Sequence, residues 1–178
     1  MTDRYRARDL LLPPGLISLA RLPLAAAFPF VAERPAPAFA ILAAAGVSDI
    51  VDGWWARRFG QQTPVGAVLD GVTDKVFALT VALTLLAGGH LGVAGLLLLG
   101  ARDLGEIPLA AWTAWTRRGS AAGAAQVHAN LAGKIATVLQ FAAVATVLLH
   151  WPYSDAAIAA AGIAGTVAAI SYWRRAMR

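Results

Sequence analysis

Four aspartates stand close together in a chain that carries few other charges. Asp49 and Asp52 are three residues apart, and Asp70 and Asp74 are four apart. In helices, both spacings place the two side chains on one face, with Cβ atoms about 5–6 Å apart. Carboxylates held so close repel each other, and a hard divalent cation such as Mg²⁺ or Mn²⁺ relieves that repulsion through oxygen ligands. The pattern therefore predicts a divalent-metal site of the kind that bridges the phosphates of a substrate.

The residues between the two pairs favour a phosphate-bearing ligand. Gly53 and Gly66 remove side chains at points where a ligand or a second helix approaches closely. Arg57, near the predicted helix end, can hold a phosphate with its planar guanidinium. Two structural alternatives stay open at this point. The glycines could serve helix packing, and the aspartates could form ion pairs with cations such as Lys75 that tie helices together.

The composition indicates that this pattern belongs to a membrane protein. The chain has 178 residues, of which 58% are hydrophobic and only 14% are charged, and its mean hydropathy is +0.62. A soluble domain usually carries about 25% charged residues, so a soluble globule and a disordered chain are both excluded. The absence of cysteine excludes disulfides, thiolate metal sites and a cysteine nucleophile.

Six apolar segments follow one another along the chain, each long enough to cross about 30 Å of hydrocarbon as a helix. We therefore predict an all-α integral membrane protein with a single domain over residues 1–178. It would consist of a short interfacial helix over 1–13 and a six-transmembrane-helix bundle over 14–178. The predicted spans cover residues 15–32, 37–58, 66–88, 91–116, 129–149 and 155–173.

The distribution of arginine predicts how this bundle is oriented. With six spans, both termini share a side with the loops around residues 57–65 and 117–128, and that side holds ten arginines against Arg34 alone on the other. Because positively charged loops stay in the cytoplasm, we expect cytoplasmic termini and an aspartate cluster that faces the cytoplasm. The arginines lie at the ends of apolar runs rather than among aromatic residues, so the net charge of +5 does not indicate a nucleic-acid partner.

The spacing of the motif resembles that of a known family. Residues 49–74 match, position by position, the signature of the CDP-alcohol phosphotransferase family, and three further segments resemble its motifs in the first, fourth and fifth spans. The signature reads Asp49-x2-Asp52-Gly53-x2-Ala56-Arg57-x8-Gly66-x3-Asp70-x3-Asp74, and the further segments are Pro14-x3-Ser18-x2-Arg21, Arg102-Asp103 and Gly133-Lys134-x2-Thr137-x2-Gln140.

This resemblance implies metal-dependent transfer of a substituted phosphoryl group from a CDP-linked donor to an alcohol, with release of CMP. It implies two Mg²⁺ or Mn²⁺ ions, with Asp49, Asp52 and Asp70 as metal ligands. Asp74 would be the general base and also a ligand of the second metal ion. The implied CDP site comprises Asp52, Gly53, Ala56, Arg57, Gly66 and Asp70. The cationic candidates for binding the acceptor are Arg21, Arg102, Arg117, Arg118 and Lys134. The family also implies a homodimer.

Within the family, the chain resembles the bacterial branch that uses CDP-diacylglycerol in the cytoplasmic membrane. Enzymes of that branch that act on glycerol 3-phosphate commonly carry lysine and glutamate where this chain has Ala136 and Asp103. These departures favour phosphatidylglycerol as the acceptor, with cardiolipin as the product. Glycerol 3-phosphate and inositol phosphate are the alternative acceptors.

Three other classes of protein compete with this interpretation. A membrane prenyltransferase also binds Mg²⁺-diphosphate with helical aspartates, but it needs two aspartate-rich motifs far apart, and here all four aspartates lie between positions 49 and 74. An ion-coupled transporter could use the carboxylates, yet inverted repeats with matching broken helices are not visible in the sequence. A non-catalytic membrane scaffold would leave four intramembrane carboxylates unexplained.

Overall fold

The computed structural model describes residues 12–116 and 131–177, and within them every regular element is an α-helix. This confirms the predicted all-α class for the described part of the chain. Two compact units divide the protein: unit 1 comprises residues 1–89 and unit 2 comprises residues 90–178. The predicted single domain stays a prediction. Most of the predicted interfacial segment lies outside the described residues, as do Arg117 and Arg118.

Between residues 12 and 89, unit 1 has two short helices and two long ones. They are α1 (Pro13–Leu19), α2 (Arg21–Val31), α3 (Pro35–Arg58) and α4 (Pro64–Ala87). Proline begins α1, α3 and α4, at a position where its missing N–H removes no helical hydrogen bond. Helices α1 and α2 each pack against both α3 and α4. The residues where α1 ends and α2 begins therefore lie between the two long helices.

The turn between α3 and α4 has a shape that its sequence determines. Gly60 has a φ of +64°, which L side chains rarely adopt, and the N–H of Gln61 donates to the carbonyl of Ala56 at 3.0 Å. This is the Schellman pattern for the end of a helix. On the other side of the turn, Thr63 Oγ1 caps α4 by accepting a hydrogen bond from the N–H of Gly66 at 3.0 Å. The two caps together define the path of the turn.

Unit 2 is built around its last helix. Outside residues 117–130, which the structure does not describe, its helices are α5 (Val93–Leu99), α6 (Ala101–Thr116), α7 (Leu131–Leu148) and α8 (Ser154–Ala176). The first three all pack against α8, and small residues make these contacts close. A Cβ added at Gly105 would lie 2.5 Å from the Cβ of Ala169, and one at Gly162 would lie 2.7 Å from Leu98 Cδ2. One cluster of its buried core comprises Leu109, Ala136, Ala168, Tyr172 and Ala176.

In the part of the chain that the structure describes, four stretches are long and apolar enough to cross a membrane: Pro13–Val31, Pro35–Arg58, Leu131–Leu148 and Ser154–Ala176. All six predicted segments are helical within the described residues, but two of them differ from simple apolar spans. Helix α4 is long enough to cross a membrane, but it carries two aspartates and a lysine. The predicted fourth span is interrupted at Gly100, between α5 and α6. The structure therefore supports an integral membrane protein, and the count of six spans stays a prediction.

Candidate metal centre

One arginine of α2 joins three of the four predicted carboxylates in unit 1. Arg21 Nη2 donates to Asp52 Oδ2 at 2.7 Å and to Asp49 Oδ1 at 3.2 Å, and its Nη1 donates to Asp70 Oδ1 at 2.6 Å. Its Nε donates to Ser48 Oγ at 3.2 Å. The side chain of Arg21 is only 1% exposed, whereas those of Asp49 and Asp70 are 47% and 42% exposed. Helices α2, α3 and α4 therefore meet at one guanidinium group.

Ser18, at the end of α1, contacts the most buried of these carboxylates. Its Oγ lies 2.9 Å from Asp52 Oδ2 and 3.0 Å from the carbonyl oxygen of Pro14, and it can donate its single proton to only one of them at a time. Both Ser18 and Asp52 are buried. Since Arg21 donates to the same oxygen, two donors from neighbouring helices converge on Asp52 Oδ2.

The three carboxylates lie close enough together to hold a divalent cation between them. One oxygen from each of Asp49, Asp52 and Asp70 lies within 4.8 Å of the other two. Oxygen ligands at about 2.1 Å from one octahedral Mg²⁺ lie about 3–4 Å from each other, so small side-chain movements would bring these oxygens onto one ion. Arg21 brings one positive charge to three carboxylates, and the negative charge that remains in this group favours a cation.

Asp74 lies one helical turn beyond Asp70 on α4 and is half-buried. Within the described part of the chain, the group of converging carboxylates has three members, and Asp74 is not one of them. A general base has to contact the reacting hydroxyl rather than share every metal contact, so this position does not conflict with that role. The structure thus brings together three of the four predicted carboxylates, and the role of Asp74 stays a prediction.

A cavity of about 220 Å³ adjoins the three carboxylates in unit 1. Asp52 and Asp70 form part of its wall, next to the small residues Gly53, Ala56 and Gly66. Its remaining lining residues are Pro14, Ser18, Gln61, Gln62, Thr63 and Ala67. Five of the six residues predicted to bind CDP therefore surround one cavity.

Arg57, the sixth, lies beside this cavity. A Cβ added at Gly53 would lie 3.2 Å from Arg57 Nη1, so the guanidinium folds back over the glycine one turn earlier in α3. Gly66 is crowded in a similar way, because a Cβ there would lie 3.1 Å from Thr63 Oγ1. Since both glycines line the cavity, the missing side chains leave room for a ligand within reach of Arg57.

The sequence pattern does not reveal every residue of this site. Gln61, Gln62 and Thr63 line the cavity from the turn, and their types carry no signal because polar residues are common in turns. Ser18 and Arg21 do carry a signal in the sequence, because both are polar residues in an apolar span. They are also three residues apart, which is a spacing that favours one helix face. Arg21 was expected to bind the acceptor, whereas the structure shows its guanidinium bonded to the carboxylates.

Two other predicted acceptor-binding cations lie in unit 2. Arg102 on α6 donates through Nη1 to the hydroxyl of Thr137 on α7, and its Nη2 lies 3.7 Å from Glu106 Oε2 one turn along its own helix. Lys134 on α7 is exposed, whereas Ala136 is buried in the core of unit 2. The segments that resemble the family motifs of the fourth and fifth spans therefore contact each other through Arg102 and Thr137.

Known proteins resemble this chain over most of its length. The family model described as CDP-alcohol phosphatidyltransferase matches residues 11–172. A candidate cardiolipin synthase of Mycobacterium tuberculosis is 32% identical over 142 residues, which cover 76% of this chain and 64% of that protein. The chain thus spans less than two thirds of the mycobacterial relative.

Two further relatives carry the name CDP-diacylglycerol–glycerol-3-phosphate 3-phosphatidyltransferase. The protein from Pseudomonas fluorescens is 39% identical over 82 residues, covering 43% of this chain and 42% of that protein. The chloroplastic protein from Oryza sativa is 36% identical over 95 residues, covering 51% of this chain and 28% of that protein. Since the region matched by the family model contains the three carboxylates, the cavity and most of unit 2, this chain belongs to the CDP-alcohol phosphatidyltransferase family.

Proposed function

We propose that this chain is a metal-dependent phosphatidyltransferase of phospholipid biosynthesis, which moves a phosphatidyl group from CDP-diacylglycerol to an alcohol and releases CMP. One observation carries the proposal: Asp52 and Asp70 belong both to the three-carboxylate group and to the wall of the adjoining cavity. A nucleotide held in that cavity would have its diphosphate beside the carboxylates. Mg²⁺ is commonly bound through one or two carboxylates together with substrate phosphates, and membership of the family supports the same reaction class.

The proposed reaction exchanges the phosphoanhydride bond of the donor for a phosphodiester bond to the acceptor. The hydroxyl oxygen of the acceptor attacks the phosphorus that carries diacylglycerol, a new P–O bond forms, and the P–O bond to CMP breaks. When bound, two Mg²⁺ or Mn²⁺ ions would neutralise charge on the diphosphate and on the leaving CMP oxygen. Asp49, Asp52 and Asp70 would hold the ions, and Asp74 would accept the hydroxyl proton and share the second ion.

Arg57 would bind the donor rather than take part in proton transfer. Its guanidinium already lies against Gly53, which lines the cavity. A planar guanidinium forms two parallel hydrogen bonds with a phosphate, so a small movement would pair Arg57 with the diphosphate. Gly53, Ala56 and Gly66 would leave the space that the nucleotide occupies.

We expect this reaction at the cytoplasmic surface of a bacterial membrane. Four apolar stretches among the described residues support insertion in a bilayer, and α4 and the α5–α6 pair would provide the third and fourth of the six spans in chain order. The ten-to-one distribution of arginine predicts cytoplasmic termini and a cytoplasmic α3–α4 turn. The carboxylates adjoin that turn, so CMP would leave directly into the cytoplasm. A homodimer stays a prediction.

Phosphatidylglycerol is the acceptor that we favour, with cardiolipin as the product. Ala136 stands where enzymes acting on glycerol 3-phosphate commonly carry lysine, and here the position belongs to the same buried core as Leu109 and Tyr172. The cardiolipin synthase name of the mycobacterial relative favours the same acceptor. Glycerol 3-phosphate is the second candidate because two relatives are named for it, and Arg102 and Lys134 would then bind its phosphate.

Release of CMP by the purified protein tests the proposal. The protein in detergent micelles is incubated with CDP-diacylglycerol, Mg²⁺ or Mn²⁺, and one acceptor at a time: phosphatidylglycerol, glycerol 3-phosphate or inositol phosphate. We expect CMP only when metal and an acceptor are both present, with phosphatidylglycerol giving the fastest release. No CMP with any acceptor would refute the transferase proposal. Release with glycerol 3-phosphate alone would refute only the favoured acceptor.

Asp74→Asn tests the assignment of the base. An amide cannot accept the hydroxyl proton, so turnover should fall by about 10²- to 10⁴-fold while CDP binding is retained. Asp155→Asn, which changes an exposed aspartate in the first turn of α8, is the matched control and should keep full activity. Full activity in Asp74→Asn would mean that another group takes the proton.

A further inference from the structure

We propose that Arg21 is a positioning residue that holds one oxygen of each metal-ligating carboxylate and thereby makes the site selective for a small divalent cation over a large one. The inference rests on the proposed function, since it concerns the same metal site. It assigns Arg21 a role different from the acceptor binding that the sequence predicts. In this role the guanidinium contacts neither the metal ion nor the substrate.

The hydrogen bonds of Arg21 limit the orientations of the carboxylates but leave them able to bind a metal ion. It bonds to Oδ1 of Asp49, Oδ2 of Asp52 and Oδ1 of Asp70. Arg21 bonds to only one oxygen of each carboxylate, and a carboxylate offers about four lone-pair sites on its two oxygens, so these bonds leave each group able to ligate a metal ion. Hydrogen bonds to the outer side of metal-ligating groups orient them, and losing such a bond commonly weakens metal binding by about 10- to 100-fold.

Arg21 is itself held in a single position. Its Nε donates to Ser48 Oγ at 3.2 Å, and that hydroxyl donates to the carbonyl of Ala45 at 2.7 Å. The side chain is 1% exposed, so surrounding protein rather than solvent contacts it on every side. A guanidinium is planar and presents its N–H groups at fixed angles. A fixed guanidinium therefore transfers its own rigidity to carboxylates on both α3 and α4.

A rigid set of oxygen ligands discriminates between cations by size. Mg²⁺ requires near-octahedral ligands at about 2.0–2.1 Å, whereas Ca²⁺ accepts six to eight oxygens at about 2.3–2.6 Å in flexible arrangements. Carboxylates that Arg21 holds cannot rearrange freely to provide the extra oxygens and longer distances of Ca²⁺. Lysine at this position would keep the positive charge but would not bond three carboxylates at fixed angles. Arg21→Lys therefore separates the geometry of the residue from its charge.

Competition for bound Mn²⁺ measures this selectivity without any enzyme reaction. Electron paramagnetic resonance follows free Mn²⁺ as Mg²⁺ or Ca²⁺ displaces the ion from the purified full-length protein. In Arg21→Lys we expect Mg²⁺ affinity to fall by about 10- to 100-fold and Ca²⁺ affinity to fall less, so that the preference for Mg²⁺ drops by about tenfold. Arg34→Lys, at the exposed residue before α3, is the matched control and should keep the wild-type preference.

Each outcome of this experiment decides the inference. If Arg21→Lys keeps the wild-type preference for Mg²⁺ over Ca²⁺, the inference is overturned, even if the affinities for both ions change by the same factor. Arg21 would then act only as a counter-charge to the carboxylates. If that variant does not fold, Ser48→Ala removes only the acceptor of Arg21 Nε and should lower the preference by a smaller factor; an unchanged preference there also overturns it. If the wild-type protein binds no Mn²⁺, both this inference and the proposed metal-dependent function are wrong. If the wild-type protein binds Mn²⁺ but the variants keep its preference for Mg²⁺ over Ca²⁺, only the inference about Arg21 is wrong.

Discussion

Asp49→Asn distinguishes a metal site from a set of structural ion pairs. The two interpretations predict opposite effects of this substitution on the stability of the metal-free protein. If the carboxylates serve only to tie helices to Arg21, removing the charge of Asp49 should lower the stability of the metal-free protein. If they form a metal site, they repel each other until a cation binds, and removing one charge relieves that repulsion. The metal-free variant should then be more stable than the wild-type protein.

The distances determine which sign to expect. An oxygen of Asp49 lies within 4.8 Å of an oxygen of each of the other two carboxylates. Unit charges at that separation repel by about 3.5 kcal/mol for each pair at an effective dielectric constant of about 20. Among these four side chains, the attraction of Asp49 to Arg21 at 3.2 Å is about 5 kcal/mol on the same scale, so the two repulsions exceed that attraction by about 2 kcal/mol. Because Asp49 is 47% exposed, solvent screening reduces the net gain to about 0.5–1 kcal/mol.

Thermal unfolding of the protein in detergent, first with EDTA and then with Mg²⁺, measures this effect. We expect Asp49→Asn to have a higher Tm than the wild-type protein in EDTA and to gain less from Mg²⁺, because it has lost a ligand. Asp155→Asn is the control: it loses a charge at the start of α8 worth about 0.3–1 kcal/mol, and its response to Mg²⁺ should match that of the wild type. A Tm for Asp49→Asn clearly below the wild-type value in EDTA would refute the repulsion argument.

The turn, the small-residue contacts and Ser18 each give a further testable outcome. Gly60→Ala and Gly89→Ala both place alanine at positive φ with no atom within 4 Å, so each should lower stability by about 1–2 kcal/mol in denaturant unfolding. Only Gly60→Ala, which alters the turn beside the cavity, should also weaken CDP binding in calorimetry; an equal loss from both would contradict this. Gly162→Ala should lower Tm, because its Cβ would lie 2.7 Å from Leu98 Cδ2 and overpacking costs about 1–3 kcal/mol. Ser18→Ala removes a hydrogen bond from a buried carboxylate and should weaken Mn²⁺ binding by about tenfold in paramagnetic resonance, and unaltered binding would exclude a supporting role for Ser18.

The long helices of unit 1 and the carboxylate group were predictable because both leave a regular trace in the sequence. Predicted spans 37–58 and 66–88 correspond to Pro35–Arg58 and Pro64–Ala87, and the small differences arise because proline starts each helix slightly before the apolar run. The spacing of three between Asp49 and Asp52 needs only helical geometry to place both side chains on one face. Local regularity was therefore sufficient for these features.

The interruption between α1 and α2 and the hydrogen-bond partners of Arg21 were not predictable in the same way. Helix α1 ends at Leu19 and α2 begins at Arg21, while the hydropathy of the segment stays high throughout, so an average over a span does not detect the interruption. An arginine in an apolar helix can also extend toward the membrane surface. Its actual contacts depend on which helices pack against α2, and that is a property of the tertiary structure.

The balance of charge in unit 1 connects its folding with its proposed chemistry. An arginine within an apolar span costs about 2.5–3.5 kcal/mol on insertion scales, and Arg21 is buried in such a span. Its bonds to three carboxylates offset that cost, and without Arg21 the carboxylates would repel each other across α3 and α4. One arginine is enough to bring the helices together, but within this group of four side chains it leaves two of three negative charges unbalanced. A second arginine would have neutralised the group further and weakened its attraction for metal. The divalent cations of the proposed site, together with the diphosphate that they would bind, would then complete the balance of charge in this group.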